Sequence, residues 1–210
     1  MTHRQADPSD LKADLDRLTA FLSPLDRVVC LTGAGCSLAS GIPTYRAENG
    51  DWQGRNPINH QDFLEDFETR QRYWARSFIG WPLMHTAQPN PAHRALKDLV
   101  AIGLVGTLIT QNVDSLHEQA GLTTVQHLHG DLTEVTCLVC GASEPRTQLQ
   151  TRLAKLNVDL ALDGKLQPDG DAEIPSEVIQ HFKIADCLLC DGTLKPNVVF
   201  FGGQVDPTLV

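Results

Sequence analysis

An α/β fold is what this sequence predicts: a Rossmann-like parallel sheet with helices on both faces and a small zinc-binding domain inserted into it. Three observations carry that expectation. Short apolar runs at 27–32, 105–110 and 124–128 read as buried strands. The first two give way to small or polar residues and then to stretches with helical spacing, the alternation expected of a parallel sheet with covering helices. Between 136 and 190 the character changes, with two Cys-x-x-Cys pairs, Cys137/Cys140 and Cys187/Cys190, framing a polar segment. That stretch reads as a metal-held insertion.

The elements follow in order. Leu11, Leu15, Leu18 and Leu22 are spaced for one face of a helix, which Pro24 ends. Val28 to Leu31 form the apolar body of the first strand, Gly33-Ala34-Gly35 breaks it, and Ser37 to Ser40 open a helix. Residues 44–60 are rich in Gly, Asn, Asp and Gln with little periodicity, so they read as a long loop, functional or mobile. A helix is expected over 63–78. Pro89-Asn90-Pro91 interrupts, a short helix follows over 92–101, and the second strand over 105–110. Residues 116–120 are helical and capped by Gly121 before the third strand. Within the insertion a helix is expected over 147–156 and an acidic loop over 167–175; residues 194–203 return to an apolar, β-rich run. Residues 1–135 with 191–210 are thus expected to form the nucleotide-type domain, and 136–190 the zinc-binding insertion.

Composition narrows the function. The 210 residues are 41% hydrophobic and 20% charged, ordinary for a globular domain, and no apolar run nears the roughly 20 residues needed to span a bilayer. No membrane partner is expected. Residues 1–10 carry neither an apolar signal core nor an Arg-rich transit pattern, which points to a cytoplasmic setting. The net charge of −9 argues against direct nucleic-acid binding, whose affinity comes from Lys and Arg neutralising phosphates, and is compatible with a basic peptide partner.

Four constellations carry chemistry. Gly33-x-Gly35 after a buried strand offers backbone amides to a pyrophosphate, with a simple turn as the alternative, because the third glycine comes only at Gly41. Thr110-Gln111-Asn112-Val113-Asp114 emerges at the carboxyl end of the second strand, where its groups can hold a ribose or carboxamide, or else cap the next helix through Asn112 or Asp114. His127 and His129 fall on one side of the third strand; His129, at the sheet edge, suits general-base work, against the plainer reading of a structural imidazole. His117 keeps that plainer reading. The Cys pairs supply four sulfurs with no open position, so the zinc they imply is structural; a thioredoxin-type redox pair is the weaker alternative.

Together these pieces resemble one family. Gly33-Ala34-Gly35-x-Ser37, Gly41-Ile42-Pro43-x-Tyr45-Arg46, Thr110-Gln111-Asn112-x-Asp114-x-Leu116-His117, His129-Gly130, the Cys pairs and Lys195-Pro196-x-Val198-Val199-Phe200-Phe201-Gly202 are similar to sirtuin motifs in sirtuin order, over about 28–203. Arg72-Tyr73-Trp74-Ala75-Arg76 and Gln88-Pro89-Asn90-Pro91-Ala92-His93 resemble the class II branch, which includes mitochondrial and many bacterial members. The resemblance implies NAD-dependent removal of acyl groups from protein lysines. Gly33, Ala34, Gly35, Ser37, Tyr45 and Arg46 would contact NAD, and Gln111, Asn112 and Asp114 would surround its nicotinamide ribose and carboxamide. His129 would be the general base. Val198, Val199, Phe200 and Gly202 would pair with the acyl-lysine peptide as an added strand. In the family reaction the acyl oxygen attacks the ribose carbon as nicotinamide leaves, and the base helps a ribose hydroxyl attack the imidate. Nicotinamide, free lysine and acyl-ADP-ribose result. The branch resemblance places a bacterial chain in the cytoplasm and a eukaryotic one in the mitochondrion.

Two departures from the family pattern stand out. Thr44 replaces the usual Asp after Gly-Ile-Pro, as in members preferring acidic acyl groups, yet the Tyr-x-x-Arg pair that would read such groups is not evident in residues 50–55. The family's later strands, with their Gly-Thr/Ser-Ser segment for the adenine-side ribose, have no counterpart in the 210 residues. A truncated sheet is expected, with weak NAD binding and an apolar edge. Two other functions stay open: mono-ADP-ribosyl transfer from the same NAD site, and a catalytically impaired zinc- and nucleotide-binding module.

Overall fold

The computed structural model describes residues 8–44, 46, 49–51, 57–160, 165–166 and 172–209. Three strands, β1 (Val28–Thr32), β2 (Val105–Thr110) and β3 (Val125–His127), form a parallel sheet with β2 in the middle. The runs are short and β-branched, and parallel pairing follows because a helix returns the chain between strands. Between β1 and β2 the chain passes through a 3-10 helix (Ala34–Ser40), α2 (His60–Glu65), α3 (Phe67–Thr86) and α4 (Pro91–Ala101). The helix expected at Ser37 to Ser40 is therefore a 3-10 turn that begins three residues earlier. The one helix expected over 63–78 is two, because Asp66 ends α2 and also caps α3, accepting from the Glu68 and Thr69 amides at 3.3 and 2.8 Å. Asn90 caps α4 with Pro91 at its first position, the arrangement the Pro-Asn-Pro breaker encodes.

One face of the parallel sheet is closed by α4. Val105, Leu108 and Leu122 are buried there, with Leu96, Leu99, Val100, Val28, Cys30 and Val125 packed against them. On the other face Val29 and Leu31 keep 66% and 59% exposure. The leading helix α1 (Pro8–Leu22) forms as its spacing predicts, yet Leu11, Leu15 and Leu18 are exposed. Its leucines are not buried against any described residue.

The second unit is an antiparallel sheet, β5 (Ser143–Pro145), β4 (Gly130–Cys137) and β8 (Leu194–Val198), in that order, with α6 (Arg146–Leu156) and α7 (Ser176–His181) beside it. Between those helices β6 (Lys165–Leu166) pairs with β7 (Ala172–Glu173), and α5 (Leu116–Gln119) links β2 to β3. The expected loop over 167–175 lies mostly outside the described residues. The largest buried cluster joins this sheet to α2 and α3: Phe63, Trp74 and Ala75 lie with Val135, Leu149, Leu153, Phe182 and Leu194. Arg146, 1% exposed, places its guanidinium 5.6 Å from the Trp74 ring and 4.9 Å from that of Trp81, bonding Ser77 and Gln150. A buried cation held by two indoles and by hydrogen bonds couples α3 to α6.

Candidate active site and metal centre

The nucleotide-type loops meet at the carboxyl ends of β1 and β2. The Gln111 amide donates to the Thr32 carbonyl at 2.9 Å, so the glycine loop and the Gln111–Asp114 loop leave the sheet side by side. Ser37, fully buried, donates to Asp114 Oδ2 at 2.6 Å, and Asn112 Nδ2 donates to Ser37 Oγ at 3.0 Å. Asp114 serves two purposes, since its Oδ1 also accepts from the Leu116 amide at 3.0 Å. Helix capping and site building are competing readings of this aspartate in the sequence, and one carboxylate performs the hydrogen bonding of both. Ser115 beside it holds a left-handed backbone at φ 57°, an uncommon conformation for a residue with a Cβ.

Around the glycines the described residues leave room. Among them a Cβ on Gly33 would meet only Gln111 Oε1 at 3.6 Å, and one on Gly35 would meet nothing within 4 Å. That open cradle beside loop amides suits a pyrophosphate. Arg46 is exposed and donates to the Gly50 carbonyl at 2.8 Å. Tyr45 lies outside the described residues, as do most of residues 50–55, where an acyl-reading pair would fall.

His129 stands in the turn between β3 and β4. Its Nδ1 lies 3.0 Å from the Gln111 carbonyl oxygen, and its own carbonyl accepts from the Val199 amide at 2.8 Å. One residue thus touches the nucleotide-type loop through its ring and the β8 segment through its backbone. The next residue, Gly130, has φ 72°, and a Cβ there would lie 2.0 Å from the Asn197 carbonyl oxygen. Only glycine allows β4 to approach β8 so closely. His127, placed on the same side of the strand by alternation, serves a different partner: its Nε2 is 2.5 Å from Glu118 Oε1.

Of the remaining predicted residues Val198 ends β8, which stops short of the β-rich run expected over 194–203, and Val199, Phe200 and Gly202 follow it. β8 is an edge strand, so its outer side pairs with no other described strand. Val198 pairs with Gly130, and Phe200 is buried between Phe63 and Tyr73, 5.0 and 5.1 Å from their ring centres. Gly202, at φ 76°, lies against Asn59. Sequence reasoning names Lys195 within its motif but missed its contacts: the ammonium donates to the Val198 carbonyl and sits 4.7 Å from the Phe200 ring centre. It also missed the Glu118–His127 pair. Nothing local to either segment marks such contacts.

The four cysteines converge. Cys137 and Cys190 sulfurs are 3.6 Å apart, Cys140 and Cys187 sulfurs 3.7 Å, and all four lie within 4.8 Å of one another. Zinc–sulfur bonds of about 2.3 Å place tetrahedral sulfurs about 3.8 Å apart, close to the two shorter separations, so the set fits zinc with at most a modest contraction. Both turns are built alike. The Val139 amide donates to Cys137 Sγ and the Leu189 amide to Cys187 Sγ, each at 3.4 Å, and left-handed Gly141 and Asp191 close them. The sulfurs cannot all ionise unaided: Cys137 is lowered to about 6 by the Cys140 amide, while the Cys140 sulfur pushes Cys190 up to about 12. A divalent ion supplies the missing positive charge.

A Sir2 family model matches residues 33–210. This chain belongs to the Sir2 family. The sirtuin chain is 48% identical over 194 residues to NAD-dependent protein deacetylase 2 of Bradyrhizobium diazoefficiens, covering 92% of itself and 71% of that protein. It is 43% identical over 208 residues to the human NAD-dependent protein lipoamidase sirtuin-4, mitochondrial, covering 97% of itself and 65% of that protein. Among solved structures it is similar to a Sir2–p53 peptide–NAD+ complex, with TM-score 0.68 and 27% identity over 93% of this chain and 68% of that one. A Sir2 homolog–NAD complex gives TM-score 0.62 and 32% identity over 92% of this chain and 64% of that one. The sirtuin chain thus spans about two thirds of the length of these relatives. Among the described residues no helix is long and apolar enough to cross a membrane.

Proposed function

We propose that the protein removes acyl groups from lysine side chains of other proteins in an NAD-dependent reaction, with His129 as general base. The observation that carries this is the position of His129, hydrogen-bonded to the Gln111 carbonyl through its ring and to the Val199 amide through its backbone. A carbonyl only accepts, so Nδ1 carries the proton and Nε2 keeps the lone pair a base requires. NAD, when bound, supplies the ribose carbon that takes the acyl oxygen as nicotinamide leaves. Gly33, Ala34 and Gly35 give it room and amides, and Tyr45 and Arg46 belong to the same binding set by their motif. Ser37, Asn112 and Asp114 hold one another rigid, with Gln111 beside them, so that polar groups meet the ribose without reorganising. Val198, at the end of β8, with Val199, Phe200 and Gly202 after it, would take the backbone of an acylated peptide as an added strand.

A cytoplasmic setting and the absence of nucleic-acid and membrane partners belong to the same reading, as does an inserted unit, whose expected bounds at 135/136 and 190/191 cut across the pairing of strands β4 and β8. The relatives bear names as different as deacetylase and lipoamidase, so the test uses several acyl groups. The protein is incubated with NAD and with acetyl-, lipoyl- and succinyl-lysine peptides, and products are read by mass spectrometry. Acyl-ADP-ribose formed with free lysine is the expected result. ADP-ribose transferred to protein with no deacylated peptide would overturn it.

A further inference from the structure

Behind the polar loop, Cys36, His93 and His117 bring one ligand atom each to within 4.8 Å of one another. They come from three elements: the 3-10 turn, α4 and α5. Cys36 Sγ lies 3.9 Å from His93 Nε2, and the imidazole centres are 4.8 Å apart. His93 and His117 are 0% and 1% exposed, and Cys36 is partly buried. The reaction proposed above uses none of the three.

His117 decides the chemistry. Its Nε2 is 2.9 Å from Thr32 Oγ1, and that hydroxyl gives its own proton to Thr110 Oγ1 at 2.9 Å. The ring must therefore donate from Nε2, which leaves the lone pair on Nδ1. Nδ1 is buried and has no hydrogen-bond partner among the described residues. A buried acceptor without a donor is a destabilising feature that a ligand would relieve.

We propose that Cys36, His93 and His117 form a second metal site, distinct from the four cysteines, for a thiophilic divalent ion of the zinc class. One sulfur and two imidazole nitrogens are ligands that zinc takes together, and three protein ligands leave a fourth position open. Zinc bonds of about 2.3 Å to sulfur and 2.0–2.1 Å to nitrogen place such atoms about 3.5 Å apart. The cluster, with its atoms within 4.8 Å, therefore needs only a modest contraction. On binding, Cys36 releases its proton to solvent. His93 must present Nε2, so its ring proton moves to Nδ1; the 3.3 Å bond that Nδ1 accepts from the Asn90 amide is lost, and the ring must turn enough to separate the two N–H donors. That bond is long and weak, and metal coordination offsets it. An ion held here ties the turn carrying Ser37 to α4 and α5, so occupancy bears on the nucleotide loop.

The test starts from reduced protein carrying one zinc in the four-cysteine set and titrates further Zn2+ against a chromophoric chelator, beside the Cys36→Ser and Cys36→Ala variants. Wild type is expected to take a second equivalent, and the variants to bind it at least about tenfold more weakly. In wild type alone, that second equivalent should protect Cys36 from alkylation, read by peptide mapping, so the result does not depend on the variants folding. A second zinc bound equally by the variants, or one that leaves Cys36 as reactive as before, would overturn the site. So would a wild type that stops at one.

Discussion

His129 Nδ1 lies 3.0 Å from the Gln111 carbonyl oxygen, which fixes the ring's proton on the side away from its Nε2 lone pair. Replacing His129 with Ala or Tyr should lower deacylation by about 10²–10⁴-fold or more while fold and zinc content hold, because a lost base costs rate and not packing. Turnover and melting temperature measured on one preparation decide the matter. A lower melting temperature with activity retained would make His129 a structural residue.

Two glycines should respond in opposite ways. Gly130→Ala drives a Cβ to 2.0 Å from the Asn197 carbonyl at φ 72°, and should cost about 2–4 kcal/mol from overpacking and left-handed strain combined. Gly35→Ala has open space and should leave denaturant stability within about 0.5 kcal/mol. Its methyl group fills the cradle, so NAD affinity by calorimetry should fall. If Gly35→Ala binds NAD like wild type, the loop does not hold the pyrophosphate.

The Glu118–His127 pair should make stability depend on pH. Its hydrogen bond to Glu118 raises His127, so that contribution is full below the ordinary histidine value and lost as pH rises through the raised one. Glu118 is lowered by the same bond although burial pushes the other way; its contribution is present above the ordinary carboxylate value and lost only in acid. His93 and His117, lowered chiefly by burial, work oppositely, their contribution being lost as pH falls. The comparison must therefore be with Glu118→Gln and not with pH alone. The pair is partly exposed, at 21% and 36%, so the substitution should cost about 1 kcal/mol or less near pH 6, and still less near pH 8.5. Equal losses at both pH values in thermal melts would refute the pairing.

Removing zinc should loosen the sulfur-held turns first. Metal binding contributes directly to the folding of such a set. A strong chelator under reducing conditions should speed amide exchange at Val139, Gly141, Leu189 and Asp191, whose backbone bonds close the turns. Exchange in β1 and β2 should change little at first. Freshly purified, reduced protein without zinc would contradict the assignment.

What the sequence disclosed was local. β1 and β2 were legible because short, mainly apolar runs rich in Val, Leu, Ile and Thr have few other uses, and the cysteine turns because their spacing is set by a single ion. α4 was legible through Asn90 and Pro91. Less accessible was anything resting on residues far apart. Leu11, Leu15 and Leu18 have helical spacing, and spacing does not say whether a face will be covered. The contacts of Arg146 with α3 and of Lys195 with Phe200 rest on tertiary placement that no periodicity encodes. His127 and His129 look equivalent by alternation, and are separated only because the turn after β3 carries His129 to Gln111.

β4 begins at Gly130, next to His129, and ends at the zinc ligand Cys137; β8 starts four residues after Cys190 and leads into Val199. These strands are hydrogen-bonded to each other, Gly130 opposite Val198 and Cys137 opposite Leu194. They act as a pair of struts clamped at one end by the sulfur cluster and holding, at the other, the His129 imidazole and Val199. On the proposed function, an ion held by the cysteines would therefore help set the gap between His129 and the segment that takes the peptide. Releasing that clamp would be felt as misalignment at the far end before the struts themselves came apart.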